Sequence, residues 1–176
     1  YGVVGAIIPW NGPLFAAVMV TAPVLAAGNC VVLKAPELAP YTVMRLGELF
    51  LEAGFPPGVV NMLVGGPEVG EAMVSHPGVD KVQFVGSGAT AKKVLRSASE
   101  SLKPCGLELG GKSAVIVFAD ADLAQAGPRG LNGAISVSGQ GCVNGTRLLV
   151  ERPIYEQYLG MIKTIAGHIK VGDPSD

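Results

Sequence analysis

Apolar residues run without interruption over Val3–Ile8, a stretch rich in β-branched side chains and too short for a helix. It predicts a strand covered on both faces. Pro9-Trp10-Asn11-Gly12-Pro13 breaks the run, and Leu14–Ala27 reads as a buried helix stopped by Gly28-Asn29. Cys30–Lys34 is the next strand, with Ala35 to Pro40 as its exit loop. Tyr41–Ala53 predicts a helix ending at Gly54, before Pro56-Pro57. Val59–Val64 is a third strand; Gly65-Gly66-Pro67 then opens a short helix to about Ser75. Lys81–Val85 is a fourth strand and Ala89–Ala98 a helix. This alternation predicts an α/β fold, a Rossmann-like, mainly parallel sheet with flanking helices. Leu107–Lys112 then reads as a junction, followed by a strand at Ser113–Phe118 and a helix from Asp122 to about Val137, capped by Asp120 or Asp122. Leu148–Val150 predicts another strand and Ile154–Ile169 a closing helix. A boundary near Leu109 separates a first domain, 1–109, from the beginning of a second α/β domain, 110–176.

Composition narrows the classes. The 176 residues are 49% hydrophobic and 15% charged with 25 glycines, which suits a large core with tight turns. A net charge of −1 and no basic run argue against nucleic acid or an anionic membrane as partner. Tyr1 to Leu33 holds no charged residue, but Pro9, Gly12, Pro13, Pro23 and Gly28 cut it well below the ~20 apolar residues of a membrane span. Three cysteines without a C-x-x-C spacing make neither a disulfide framework nor a zinc site, and suggest a reducing cytoplasm. His76 and His168 have no ligand-spaced partner, so no metal site is expected. The chain opens inside a strand-like run without Met and stops in a loop-like 171–176 stretch. It is therefore expected to be a piece cut from a longer protein, and inactive in isolation because strands cut from their sheet partners would leave the functional groups loosely held.

Candidate chemistry lies mostly where strands end, since parallel sheets bind ligands beyond their carboxyl ends. Gly86-Ser87-Gly88-Ala89-Thr90-Ala91 follows a strand and opens a helix, matching the G-x-G-x-x-G/A dinucleotide fingerprint, with a plain tight turn as the competing reading. That template seeks a ribose-binding acid about 20 residues on, which points to Glu108. Lys34 and Glu37 leave the second strand together; they could hold a ribose, or form an exposed pair around a turn. Asn11 could donate to an oxyanion or cap the helix that follows. Glu108 sits between two leucines, an apolar setting that suits a general base, unless it merely faces solvent at a strand end. Finally, Cys142 stands among glycines and short polar residues in Ser138–Gly145, open to approach as a nucleophile must be. Taken alone, a free cysteine is more often a small core hydrophobe.

In order and spacing, Pro9-Trp10-Asn11, Ala26-Ala27-Gly28-Asn29, Val32-Leu33-Lys34 with Glu37, Phe84-Val85-Gly86-Ser87, Leu107 to Ser113 and Gly139-Gln140-Gly141-Cys142 resemble the NAD(P)-dependent aldehyde dehydrogenase superfamily, essentially from end to end. The resemblance implies that 1–109 is a dinucleotide-binding domain and 110–176 the start of the catalytic domain. It implies Cys142 as nucleophile, Asn11 as oxyanion donor and Glu108 as the base that activates water, which removes Glu108 from the ribose. Lys34 and Glu37 would take the ribose instead. Ile8 and Trp10 would line the cofactor cleft, Gly66 and Gly70 would border the adenine, Gly86 and Ser87 would meet the pyrophosphate, and Leu109 would complete the cofactor site. Glu37 would repel a 2′-phosphate, favouring NAD over NADP. The implied substrate is a small aldehyde and the implied full-length assembly a homo-oligomer. Val85, Ala91 and Val20 depart from the Thr, Gly and Lys common in the family at those positions. Two other readings are a catalytically silent relative and an enzyme that passes the thioester to coenzyme A.

Overall fold

A computed structural model describes residues 1–173 and Ser175, so the loop expected over 171–176 lies partly outside the described residues. The chain divides into two compact units, Tyr1–Gly110 and Gly111–Asp176.

The first unit runs β1 (Val3–Ile7), α1 (Pro13–Ala26), β2 (Cys30–Ala35), α2 (Tyr41–Glu52), β3 (Val60–Val64), α3 (Pro67–Ser75), β4 (Lys81–Gly86), α4 (Gly88–Ser99) and β5 (Cys105–Leu109). Its five strands are ordered β3-β2-β1-β4-β5 and every pair is parallel. This is the mainly parallel sheet with flanking helices that the apolar runs predict. Those runs are continuous because alternate residues feed two cores. Ala6, Val31 and Leu33 pack with Ala17 and Val20 of α1 and Val43 of α2. Val3, Ile7 and Val32 turn the other way, beside Met73 and Val74 of α3 and Val94 of α4.

One strand escapes the sequence pattern. The stretch read as a junction begins as β5, paired with β4 so that Gly106 lies opposite Gln83. A side chain at 106 would have to displace the Gln83 amide, the far end of a flexible side chain. Glycine also weakens the strand signal, which explains the miss.

The second unit pairs β6 (Ala114–Val117) with β7 (Arg147–Val150) in parallel, with α5 (Leu123–Ile135) between them and α6 (Tyr155–Ala166) after a single 3-10 turn, Arg152–Ile154. Of the two candidate caps, Asp122 holds the start of α5, its Oδ1 accepting from the Ala124 N–H at 3.0 Å. Tyr158 of α6 is buried, and its hydroxyl donates to the Ala126 carbonyl of α5 at 3.0 Å. Helix α5 ends before Val137 because the backbone turns left-handed there.

The end of α3 is held from outside the helix. Lys103 Nζ donates to the carbonyls of Val74 (2.7 Å) and His76 (2.5 Å), placing a cation at the carboxyl end of the helix dipole. Lys103→Met is expected to lower the unfolding free energy of the first unit by about 1–2 kcal/mol. A urea titration followed by far-UV circular dichroism checks it, and an unchanged midpoint would contradict this role.

Candidate active site

Parallel strands point one way, so their exit loops gather at one edge of the sheet. Register makes this concrete: Ile7 lies level with Lys34 and Phe84, Lys34 with Leu63, and Gly86 with Leu109. Ile8, Trp10 and Asn11 follow β1, Lys34 and Glu37 end β2, and Gly66 and Gly70 follow β3. Gly86 and Ser87 end β4, and Leu109 ends β5. Residues dispersed over about a hundred positions of the chain thus share one edge of the first unit.

Lys34 is the least ordinary of them. Only 6% of it is exposed, yet its ammonium lies 3.7 Å from Glu37 Oε2, whose side chain is half open to solvent. Its other contact is a 3.5 Å bond to the Ala35 carbonyl. The pair is therefore not an exposed bracket around a turn: a buried lysine reaches outward to an accessible carboxylate. Gly70 lies alongside the stem: a Cβ there would stand 3.8 Å from Lys34 Cδ and 3.5 Å from Ile7 Cδ1, ordinary contact distances.

The two helix starts at this edge are built from glycine. Gly66 is the N-cap of α3, and its N–H donates to Glu68 Oε1 at 2.9 Å. Ser87 caps α4, its Oγ accepting from the Thr90 N–H at 3.2 Å and donating to Thr90 Oγ1 at 3.1 Å. Gly86 has the Phe84 ring 2.6 Å from where a Cβ would stand. The side chain of Ile8 is buried in the core, whereas Trp10 is 47% exposed. Gly12, not Asn11, occupies the N-cap of α1.

Glu108 corrects an expectation. The flanking leucines do not enclose it, because neighbours in a strand point to opposite faces, and Glu108 is exposed. Leu107 packs in the core on the α3 and α4 side. Glu108 instead borders a groove of about 310 Å³ with Val4, Met19, Val20, Pro23 and Gln83.

Cys142 belongs to the second unit. Ahead of it, Val137 (φ 54°), Ser138 (φ 54°) and Gly139 (φ 76°) are all left-handed. For a β-branched residue that conformation is an outlier costing roughly 1–3 kcal/mol. Gly141 to Asn144 then form a turn closed by the Asn144 N–H on the Gly141 carbonyl at 3.3 Å, and Cys142 is its second residue. Its thiol is exposed, as is the neighbouring Val143. Asn144 is buried, 4% exposed, and its amide bonds the Ala134 and Ser136 carbonyls and the Ser136 hydroxyl. Sequence reasoning singled out neither Asn144 nor Ser136, since Asn-Gly reads simply as a turn. Cys30 and Cys105 are partly buried in β2 and β5, and burial pushes the Cys105 thiol up, opposed by the Lys103 charge.

A parallel sheet with glycines at the helix starts of its carboxyl edge, joined in one chain to an exposed thiol on a tight turn, places the chain among the α/β proteins. The chain belongs to the aldehyde dehydrogenase family, whose model matches residues 1–176. It is 45% identical over 174 residues to the peroxisomal aminoaldehyde dehydrogenase 2 of Pisum sativum, covering 98% of this chain and 35% of that protein. To the chloroplastic betaine aldehyde dehydrogenase of Amaranthus hypochondriacus it is 47% identical, with the same coverage. Among solved structures, the Mycobacterium tuberculosis aldehyde dehydrogenase complexed with NAD+ superposes with a TM-score of 0.93 at 47% identity, covering 99% of this chain and 36% of that one. The chain thus spans about a third of the length of these relatives. Peroxisomal and chloroplastic names show that the family is not confined to the cytoplasm. Among the described residues no helix is long and apolar enough to cross a membrane.

Exposure sets an order of thiol reactivity. With limiting iodoacetamide near neutral pH, Cys142 is expected to be alkylated at least ~10-fold faster than Cys105, whose thiolate is disfavoured by burial. Peptide mapping by mass spectrometry reads the order, and preferential labelling of Cys105 would contradict the exposed turn.

Proposed function

We propose that the polypeptide carrying this chain oxidises a small aldehyde to a carboxylic acid with NAD, through a thioester on Cys142. The observation that carries the reading is the exposed Cys142 at the second position of a tight turn, in a chain matched by the aldehyde dehydrogenase model from end to end.

The edge of the first unit fits a dinucleotide. A buried ammonium beside an accessible carboxylate can grip ribose hydroxyls through Lys34 and Glu37. Gly66 and Gly70, at the start of α3, border the place of the adenine, while Gly86, Ser87 and the start of α4 favour the pyrophosphate charge. Ile8, Trp10 and Leu109 complete the cleft, Ile8 through its main chain because its side chain is core. The Glu37 carboxylate disfavours a 2′-phosphate, hence NAD rather than NADP. When bound, NAD supplies the hydride acceptor.

The chain's own residues then divide the work. The Cys142 thiolate adds to the aldehyde carbon, giving a thiohemiacetal whose oxyanion receives hydrogen bonds from the Asn11 side chain and the Cys142 N–H. Loss of hydride from that carbon leaves a thioester. Glu108, open to solvent on its face of β5, takes a proton from water; hydroxide adds to the thioester carbonyl and the Cys142 thiolate departs. A water base at this position favours hydrolysis over transfer to coenzyme A. The 1–109 segment acts as the dinucleotide-binding domain and 110–176 as the start of the catalytic domain, within a longer homo-oligomeric enzyme. Three free thiols suit a reducing compartment such as the cytoplasm.

In the complete polypeptide, Cys142→Ala is expected to abolish aldehyde oxidation while NAD affinity, measured by calorimetry, stays within about twofold, because binding and chemistry sit on different residues. Turnover near wild type would sink the mechanism.

Glu108 and Glu37 separate in the same assay. Glu108→Gln is expected to give a burst of NADH followed by a slow steady state, since thioester formation continues without its water base. Glu37→Gln should weaken NAD and narrow the preference over NADP. A Glu108→Gln variant whose main defect is a raised Kd for NAD would return Glu108 to the ribose.

A further inference from the structure

The loop from Ser136 to Asn144 carries Cys142, and it is tied at its neck. Asn144 Nδ2 donates to the Ser136 carbonyl at 2.8 Å and to the Ala134 carbonyl at 3.2 Å, while Asn144 Oδ1 accepts from the Ser136 hydroxyl at 3.0 Å. A backbone bond from the Gly145 N–H to the Gly133 carbonyl, 3.0 Å, closes the same neck one step further out. Between the ties lie the left-handed Val137 and Ser138, which would relax if either end were free. Gly141 belongs to the arrangement: the Asn144 amide oxygen occupies the space its side chain would fill.

A primary amide suits these contacts. Two carbonyls require donors and a hydroxyl requires an acceptor, which a primary amide supplies and an alanine or a carboxylate does not. The amide is buried, so the bonds are not shared with bulk water. Its backbone also closes the Gly141–Asn144 turn, so the element that ties the neck is covalently two residues from the thiol it orients.

We infer that Asn144 is a positioning residue: it holds the strained Ser136–Asn144 loop closed so that the Cys142 thiol is presented at a fixed place. The inference rests on Cys142 being the nucleophile. Displacement of a nucleophile by about 1 Å costs on the order of 100-fold in rate, so the tie acts on kcat and leaves cofactor binding alone.

The test uses the complete polypeptide with an aldehyde and NAD. Asn144→Ala is expected to lower kcat roughly 100-fold with the Kd for NAD within about twofold. Asn144→Asp keeps the size and the acceptor, so it serves where the alanine variant does not fold. Protonated, that carboxyl donates to one carbonyl; ionised, it donates to none and faces two oxygens. Its kcat relative to wild type should therefore fall as pH rises through its ionisation, a profile that a merely structural loss would not produce. A kcat within about threefold of wild type for Asn144→Ala, or a flat ratio across pH for Asn144→Asp, overturns the inference. Cys142→Ala is measured in parallel. If it retains turnover, the nucleophile reading fails first; if it is inactive while the Asn144 variants turn over normally, the positioning role alone is wrong.

Discussion

Parallel pairing is the constraint on which the first unit depends. A strand cannot be joined to a parallel neighbour by a tight turn, so each must be followed by a crossover that returns the chain to the far end of the sheet. The consequence is directional: all five strands deliver their carboxyl ends to the same edge. Lys34, Gly66, Gly86 and Leu109 need no contact with one another to lie along one edge. The register places them, and the two apolar cores keep the register because a slip of one residue would turn Leu33 or Phe84 to the wrong face.

Cys142 is placed by different means. No sheet register reaches the 136–144 loop, and its backbone is strained where the edge of the first unit is regular. Side-chain hydrogen bonding replaces strand pairing as the source of order, with a buried amide serving three partners. Rigid strand ends suit a large cofactor held at many points. A tied loop suits a single reacting atom, whose exposure would be lost inside a strand.

Most of the architecture is legible in the sequence, because the parallel strands are long apolar runs and the helix stops are glycines or prolines. Gly28, Gly54 and Pro67 mark boundaries within a residue or two of where the structure puts them. β5 is illegible for a physical reason: Pro104, Gly106 and Glu108 give a five-residue strand little apolar signal, and only its pairing with β4 identifies it. The candidate side chains are legible as types, their surroundings less so. Leu107 and Leu109 suggest an apolar enclosure for Glu108 until the strand's alternation turns them away from it. Lys34 reads as a surface residue until packing in the folded unit leaves it only 6% exposed. Asn144 gives no signal at all, because burial of a polar side chain in a loop is decided by tertiary contacts alone.

The strand order has a consequence for synthesis. β1 lies at the centre of the sheet, between β2 and β4, and Val4 is level with Lys81. The Val3 N–H and its Asp80 acceptor, at the same place, are 77 residues apart in the chain. At ribosomal speeds of ~5–20 residues per second, that separation corresponds to roughly 4–15 s. Through that interval one edge of the most apolar strand in the unit has no partner, and it is a ready template for pairing with another chain. The arrangement that gathers every strand end at one edge of the finished unit makes its central strand the segment a nascent-chain chaperone has most reason to cover.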